Sequence, residues 1–393
     1  MNKASVTQLS KNDLENKKVI VRVDFNVPIK DKQISDDTRI VSTLPTINYL
    51  LENGAKVFLV SHLGRPKGKE EKYSLLPVAE YMKNKLNINI EFLNDCIGEE
   101  IKNTIAKSNS NLFLLENVRF YPEEEKNNLD FAKKLSELAD FYVNDAFGTA
   151  HRAHASTAGI ANFLPAYAGF LMEKEINFLS KALNPEKPFV AIIGGAKISS
   201  KIGVLKNLIE KTDSLIIGGA MTYTFLKAEN KGIGKSLVEN DFLETALEII
   251  KKAKELNCHL VIAKDHVVAE SLESTDISIV EEIPENKSGF DVGPKTIEEI
   301  KEVLKSAKTV VWNGPLGVFE NDLFSNGTNE VAHILADLTK KGTITIVGGG
   351  DSVSAIEKAG LTDSFSHIST GGGASLEFLE GIELPGIKAL KDL

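Results

Sequence analysis

Cysteine is nearly missing from this 393-residue chain: Cys96 and Cys258 lie far apart, and neither belongs to a Cys-x-x-Cys pair or to a Cys/His group at zinc spacing. That argues against a disulfide framework or a structural zinc site and fits a reducing compartment. Cationic excess is missing too. With 46 Lys+Arg against 55 Asp+Glu the formal net charge is −9. No basic or aromatic-rich stripe offsets it, so no nucleic-acid partner is expected: there is no surplus of cations to displace counterions from a polyanion. No apolar run is long enough to span a bilayer, and residues 1–9 have no apolar signal-peptide core. The expectation is a cytoplasmic protein with no membrane partner.

Arginine is the scarcest cation. Of 46 basic residues only five are arginine, Arg22, Arg39, Arg65, Arg119 and Arg152, and all precede position 153. A planar guanidinium grips carboxylate or phosphate bidentately, which an ammonium does not. As a set, the arginines point to anion recognition in the first half; for each one alone, a structural ion pair is the competing reading. Two nucleotide motifs are also missing. Gly232-Ile-Gly-Lys-Ser236 imitates the end of a P-loop, but Glu229 stands where its first glycine has to be, and no Gly-x-Gly-x-x-Gly follows a strand. A Walker-type NTPase and a dinucleotide-dependent dehydrogenase both lose their main support.

What the chain does contain is alternation. With 42% hydrophobic and 26% charged residues it has a globular composition, and its length favours two domains. Lys18–Asp24, Ala55–Val60, Asn87–Leu93, Leu112–Leu115 and Phe141–Val143 read as buried strands. Between them lie a helix from Asp36 or Asp37 to Asn53 and helical stretches at 74–86 and 128–139. This predicts a right-handed, doubly wound parallel sheet whose strand-to-helix loops share one edge, where ligands bind. Asp24 and Asn26 follow the first strand, His62 and Arg65 the second, and Arg119 and Arg152 later ones. Arg39 stands in a first helical turn, where a cation opposes the dipole and hints at a bound anion. Arg39, His62, Arg65, Arg119 and Arg152 thus compose an expected anion pocket. Asp24 and Asn26 either accept from a substrate hydroxyl or shape the turn before Pro28. Arg22, inside its strand, is assigned to structural pairing.

A helical segment near 168–182 ends at Asn184-Pro-Glu-Lys-Pro188, where two prolines stiffen a connector, and the domain boundary is placed there. Beyond it the strand ends carry glycine instead of arginine. Pro188–Ile193 leads into Gly194-Gly-Ala-Lys197, Ser214–Ile217 into Gly218-Gly-Ala220, and Thr309–Trp312 into Asn313-Gly-Pro-Leu-Gly317. Thr343–Val347 leads into Gly348-Gly-Gly-Asp-Ser352, and Ser366–Ser369 into Thr370-Gly-Gly-Gly-Ala374. Five such turns in one domain point to a nucleotide site, because glycine lets backbone approach an anion closely. If a helix begins near Ala196, Lys197 and Lys201 share a face and converge on one phosphate; otherwise both are solvated surface lysines. Asp351 either holds Mg²⁺ on phosphate oxygens or caps a helix, and Glu320 either accepts from a ribose hydroxyl or is a surface acid.

Taken together, Arg22-Val-Asp-Phe-Asn-Val-Pro28, Ser61-His-Leu-Gly-Arg-Pro66, Asp145-Ala-Phe-Gly-Thr-Ala-His-Arg-Ala-His154, Gly194-Gly-Ala-Lys197, Asn313-Gly-Pro-Leu-Gly-Val-Phe-Glu320, Gly348-Gly-Gly-Asp351 and Thr370-Gly-Gly-Gly373 resemble phosphoglycerate kinase, in the family's order over nearly the whole chain. The resemblance implies an α/β fold of two doubly wound parallel-sheet (Rossmann-like) domains joined by an inter-domain helix. An N-terminal phosphoglycerate-binding domain would span 1–168, with 377–393 returning to it, the inter-domain helix and hinge 169–187, and a C-terminal nucleotide-binding domain 188–376. The implied reaction is reversible in-line phosphoryl transfer between 1,3-bisphosphoglycerate and MgADP, giving 3-phosphoglycerate and MgATP, with domain closure, Mg²⁺ as cofactor, small-molecule substrates as partners and a monomeric enzyme.

On matching positions the resemblance places Asp24, Phe25, Asn26, Arg39, His62, Leu63, Gly64, Arg65, Arg119 and Arg152 at the phosphoglycerate. It places Gly195, Ala196, Lys201, Gly219, Gly289, Asn313, Pro315, Val318, Glu320, Gly349, Gly350, Asp351 and Ser352 at the nucleotide, with Asp351 on the metal. Arg39, Lys197, Lys201 and the amides of Gly371, Gly372 and Gly373 would meet the transferring group. One departure is Ser200, which stands before the second lysine where many members carry an acid, and which is expected to alter the local pairing of Lys201. The competing readings are a kinase forming an acyl phosphate on another small carboxylate and a nucleotide-binding module without catalysis. Five arginines favour an acceptor with a second phosphate.

Overall fold

Runs of Val, Ile, Leu and Phe that are buried on both faces become parallel strands in both halves of the chain. The computed structural model describes residues 2–30 and 33–393. They divide into two units, Met1–Asn177 with Glu383–Leu393, and Phe178–Ile382.

In the first unit, β1 (Lys18–Arg22), β2 (Lys56–Val60), β3 (Glu91–Leu93), β4 (Leu112–Leu115), β5 (Phe141–Asn144) and β6 (Ala166–Ala168) form a parallel sheet in the order β3-β4-β2-β1-β5-β6. The winding changes direction between β1 and β5, and the loops leaving neighbouring strands diverge there to open a crevice. β3 is shorter than its apolar pattern suggested: Asn87, at a left-handed φ of 55°, and Ile88, whose N donates back to Met82 O at 3.0 Å, close the preceding helix rather than start the strand. The helix expected from Asp36 or Asp37 to Asn53 is broken into Thr38–Val41 and Leu44–Glu52, since Pro45 has no N–H to donate back into the preceding turn.

The β6 edge does not lie open. Ala168 N donates to Ala4 O at 2.8 Å, Ala4 N to Lys391 O at 2.8 Å, and Lys391 N to Ala166 O at 2.9 Å. Leu384, Ile387 and Leu390 are buried beside them, so the segment 383–393 belongs to the first unit's packing. At the end of β5, Asp145 Oδ1 accepts from Leu171 N at 2.9 Å and Met172 N at 3.2 Å, rooting the helix Phe170–Leu183. Burial pushes this carboxyl up to about 6.

In the second unit the strands are β7 (Phe189–Ile193), β8 (Ser214–Ile217), β9 (His259–Val261), β10 (His266–Ala269), β11 (Ser278–Val280), β12 (Ser288–Val292), β13 (Thr309–Asn313), β14 (Ile344–Gly348) and β15 (His367–Ile368). The main sheet, β9-β8-β7-β13-β14-β15, is parallel and changes direction between β7 and β13. A separate antiparallel sheet, β11-β10-β12, escaped the sequence reading: β11 is only three residues long and half exposed, so it lacks the continuous apolar run that marks the other strands. It matters here because β12 carries Gly289.

Candidate active site

The loops leaving β1, β2 and β4 are stitched together by the residues singled out in the sequence. Arg39 Nη1 donates to Asp24 Oδ2 at 2.9 Å and to the Asn26 carbonyl at 3.2 Å. Asn26 Oδ1 accepts from Gly64 N at 2.9 Å, and the Gly64 carbonyl accepts from Arg119 Nη1 at 2.7 Å. Gly64 has φ +63°, and a Cβ there would run into the Tyr73 ring, so only glycine fits. Arg119 Nε also lies 3.1 Å from Glu125 Oε1, Arg152 Nε donates to His151 Nε2 at 3.2 Å, and Arg65 is exposed. Phe25 and Leu63 differ from expectation: their side chains belong to the apolar core, and they serve the loops through backbone bonds, Phe25 N to Ser61 Oγ at 2.9 Å and Asn117 Nδ2 to Leu63 O at 2.8 Å.

At the centre of this cluster lies His62, 3% exposed. Burial, then Arg22, Arg119, Arg152 and Arg39, hold its imidazole well below the usual histidine range, so it is neutral. Burial, then Arg119, Arg22, Arg152 and His151, push His154 down to about 4. Guanidiniums gathered around a neutral ring form a pocket whose charge calls for an anion. Arg22, read from the sequence as structural, is part of this gathering.

In the second unit the expected shared helical face of Lys197 and Lys201 does not exist. Ile198–Ser200 is a single 3₁₀ turn, Lys201 stands at the start of the helix Ile202–Leu208, and Lys197 is exposed. The two lysines nevertheless line one cavity of about 440 Å³, together with Asn313, Gly350, Asp351 and Gly372. Lys201 Nζ is bonded to Asn313 Oδ1, and burial lowers its pKa against the opposing pull of Asp351 and Glu380. Asn313 is buried, and its Nδ2 has no hydrogen-bond partner among the described residues. Ser200 Oγ donates to the Lys197 carbonyl at 2.9 Å, so Lys201 finds its acidic neighbours in Asp351 and Glu380, and Glu380 was not singled out in the sequence.

The glycines sort into two groups. Gly194, Gly195 and Gly219 spend their amides on Asn313 O, Pro315 O and Leu316 O at 2.8, 3.2 and 2.9 Å, and a Cβ at Gly194 would collide with the Gly314 and Pro315 backbone. They close neighbouring loops onto one another rather than offering those N–H groups to phosphate. Gly350, Gly372 and Gly373 instead border open space in the cavity. Gly371 departs from expectation, being buried with its N–H donated to Ser369 Oγ at 3.2 Å. Ser352 is also buried, its Oγ accepting from Gly314 N at 2.6 Å, and Gly349 caps the helix Gly350–Lys358 at φ +90°.

A second cavity, about 480 Å³, adjoins the first through the shared residues Gly195, Ala196 and Asp351. Its walls are mainly apolar, with Leu237, Leu272, Phe290, Pro315 and Val318, while Gly219, Gly289 and Glu320 also border it. Tyr223 packs against Gly289 so closely that any side chain there would displace it. An apolar slot beside a lysine-lined one suits a planar base joined to phosphates. A larger cavity of about 1010 Å³ beside Leu226, Ile250 and His266 contains none of these residues. Among the described residues no group of three or more His, Cys, Asp or Glu assembles as a metal cage. A single exposed carboxylate, Asp351, at the junction of two cavities is what Mg²⁺ needs when phosphate oxygens complete its shell.

The family model for phosphoglycerate kinase matches residues 9–382. Phosphoglycerate kinase of Dictyoglomus turgidum is 53% identical over 397 aligned residues, covering 100% of both chains. That of Borreliella afzelii is 54% identical over 386, covering 97% of this chain and 98% of its own. Among solved structures, phosphoglycerate kinase from Coxiella burnetii matches with a TM-score of 0.91 and 44% identity, covering 98% of each chain, and that from Pyrococcus horikoshii with 0.81 and 33%, also covering 98% of each. A match that begins before the first strand and ends after the last glycine turn takes in both the arginine cluster and the lysine-lined cavities, and the chain belongs to the phosphoglycerate kinase family.

Proposed function

We propose that the chain transfers a phosphoryl group directly and reversibly between 1,3-bisphosphoglycerate and MgADP, giving 3-phosphoglycerate and MgATP, with the two ends of the reaction held by different units. The observation that carries this reading is the pairing of charges with sites: arginines crowd around neutral His62 in the first unit, and Lys201, Asn313 and Asp351 share a cavity in the second. The first unit holds the acid, with its returning segment beginning at Glu383 rather than at 377 because residues up to Ile382 pack with the second unit; the second unit holds the nucleotide, and 169–187 act as the hinge. Arg65, Arg119 and Arg152 grip the non-transferred phosphate, while Asp24, Asn26 and His62 orient the glycerate. Gly195, Ala196, Gly219, Gly289, Pro315, Val318 and Glu320 seat the nucleoside.

In a loose, metaphosphate-like transition state the protein's work is alignment and neutralisation of the equatorial oxygens. Lys197, Lys201 and the Gly372–Gly373 backbone meet those oxygens from the nucleotide side, and Arg39 from the acid side. Asp351 would hold the nucleotide's Mg²⁺, which neutralises charge on the phosphates. The acceptor is a carboxylate with no proton to lose, so no general base is required.

The deciding assay supplies 3-phosphoglycerate and MgATP and follows ADP release. Turnover that persists when 3-phosphoglycerate is replaced by a carboxylate lacking phosphate would favour the other acyl-phosphate kinases instead, and nucleotide binding without ADP release would leave only a binding module. Because acid and nucleotide sit in different units, turnover also requires closure. Small-angle scattering should give a smaller radius for the ternary complex than for the free enzyme, and equal radii count against closure. Buried Cys96 and Cys258, free of disulfides, support the cytoplasm as its location, and the enzyme is proposed to act as a monomer, which sedimentation tests.

A further inference from the structure

We infer that Glu124 and Ser156 form a buried relay that acts through Arg22 to fix His62 as a neutral imidazole with its proton on Nε2, so that the ring meets the acid substrate as a hydrogen-bond donor. The inference rests on the proposal that His62 faces the phosphoglycerate.

The relay is read from its bonds. Arg22 is 1% exposed, and each branch of its fork is engaged: Nε donates to Ser156 Oγ at 2.8 Å, Nη1 to the Val23 carbonyl, and Nη2 lies 3.1 Å from His62 Nδ1. A guanidinium has donors only, so His62 Nδ1 must accept, and a neutral ring then carries its proton on Nε2. Asp24 would favour the opposite tautomer, but its Oδ1 is 3.9 Å from Nδ1, beyond hydrogen-bond reach, and its Oδ2 is taken by Arg39 at 2.9 Å.

What aims the guanidinium is the hydroxyl behind it. Ser156 Oγ accepts from Arg22 and must send its own proton elsewhere; it goes to Glu124 Oε1 at 2.6 Å, while Ser156 N donates to Glu124 Oε2 at 2.9 Å. Glu124 is fully buried and supplies the countercharge, with His154 Nδ1 also 3.8 Å from its Oε1. Burial pushes the Glu124 carboxyl up, and Arg22 and the two Ser156 donors pull it back. A direct Arg22–Glu124 fork would occupy the guanidinium edge-on with carboxylate. Passing the charge through one hydroxyl uses only Nε and leaves Nη2 for the ring.

Ser156→Ala tests this, with Ser156→Thr as the variant that keeps the hydroxyl. In the substrate-free enzyme labelled with ¹⁵N-histidine, the His62 ring should show Nε2 protonated in the wild type and in Ser156→Thr, and a mixture of tautomers in Ser156→Ala. The KM for 3-phosphoglycerate should rise roughly tenfold in Ser156→Ala, the worth of one hydrogen bond at a charged site, with kcat and the KM for MgATP within about twofold of wild type. Glu124→Gln should move both readouts the same way. A wild-type ring protonated on Nδ1 overturns the relay, as does a tautomer unchanged in Ser156→Ala; the wild-type spectrum decides this even if a variant fails to fold. A tautomer that scrambles with the KM for 3-phosphoglycerate unmoved upholds the relay and overturns instead the placing of His62 at the acid.

Discussion

Lys201 is partly buried, bonded to Asn313 and flanked by Asp351 and Glu380 in a cavity that Gly350, Gly372 and Gly373 leave open. An ammonium so placed loses solvation in the resting protein and recovers interaction energy when phosphoryl charge arrives, which is the condition for favouring a transition state over a ground state. Lys201→Ala is therefore expected to lower kcat by ~10²–10³ with a small change in the KM for MgATP. Steady-state kinetics with 3-phosphoglycerate and MgATP decide it, and an unchanged kcat would remove Lys201 from the chemistry. At this scale the sequence singled out Arg39, Arg119 and Arg152, because arginine scarcity and loop position are properties of the string itself, whereas the helical spacing through which it singled out Lys201 is replaced by a 3₁₀ turn. It was silent about Glu380, Glu124 and Ser156. Each acts on a partner far along the chain, Glu380 on Lys201 and Ser156 on Arg22, and only the sheet topology brings them together.

The helix Asn326–Lys340 is tied to β12 by a single carboxylate. Asp291 Oδ2 accepts from Gly327 N at 2.8 Å and Oδ1 from its neighbour Val292 N at 2.9 Å, and any Cβ at Gly317 or Gly327 would strike it. Burial pushes this carboxyl up to about 7, against the two backbone donors. A carboxyl whose folded pKa lies above its unfolded value near 3.8 contributes stability that is full below about 4 and is lost as pH rises through 7. Asp291→Asn has no such titration. Urea unfolding of wild type and variant should give a stability difference that falls as pH rises from 5 to 8, and a flat difference would refute the shifted carboxyl. Subtraction is needed because neutral His62, His154 and His266 act oppositely, losing stability as pH falls below the normal histidine range. Elements with long apolar runs, such as β7 and β13, were legible in the sequence. The break at Pro45 and the β11-β10-β12 sheet were not, since one is decided by a single missing N–H and the other by cross-strand pairing rather than by local pattern.

At the scale of the molecule, residues 383–393 complete the first unit after the chain has built the second. Removing them strips Leu384, Ile387 and Leu390 from their sites, at up to ~1.5–3 kcal/mol of apolar burial each, along with the Lys391–Ala166 and Ala4–Lys391 bonds. A chain ending at Ile382 should therefore unfold its first unit at lower urea while the second is unchanged. The one tryptophan, Trp312, separates the two: it is buried in the second unit with Nε1 bonded to the Gly314 carbonyl at 2.8 Å, so its fluorescence reports that unit alone, while far-ultraviolet circular dichroism reports both. Coincident, equally lowered transitions by both probes would show that the tail supports the whole chain as one cooperative block.

The returning segment also sets a timetable. On the ribosome the first unit emerges before the second, yet, although Ala4 can already pair with Ala168, the Ala166 carbonyl on the β6 edge and the apolar seats for Leu384, Ile387 and Leu390 stay uncovered until more than two hundred further residues have been joined. At ~5–20 residues per second that interval is roughly 10–40 s, long enough for a nascent chain to need shelter at that edge. The half that is made first is finished last.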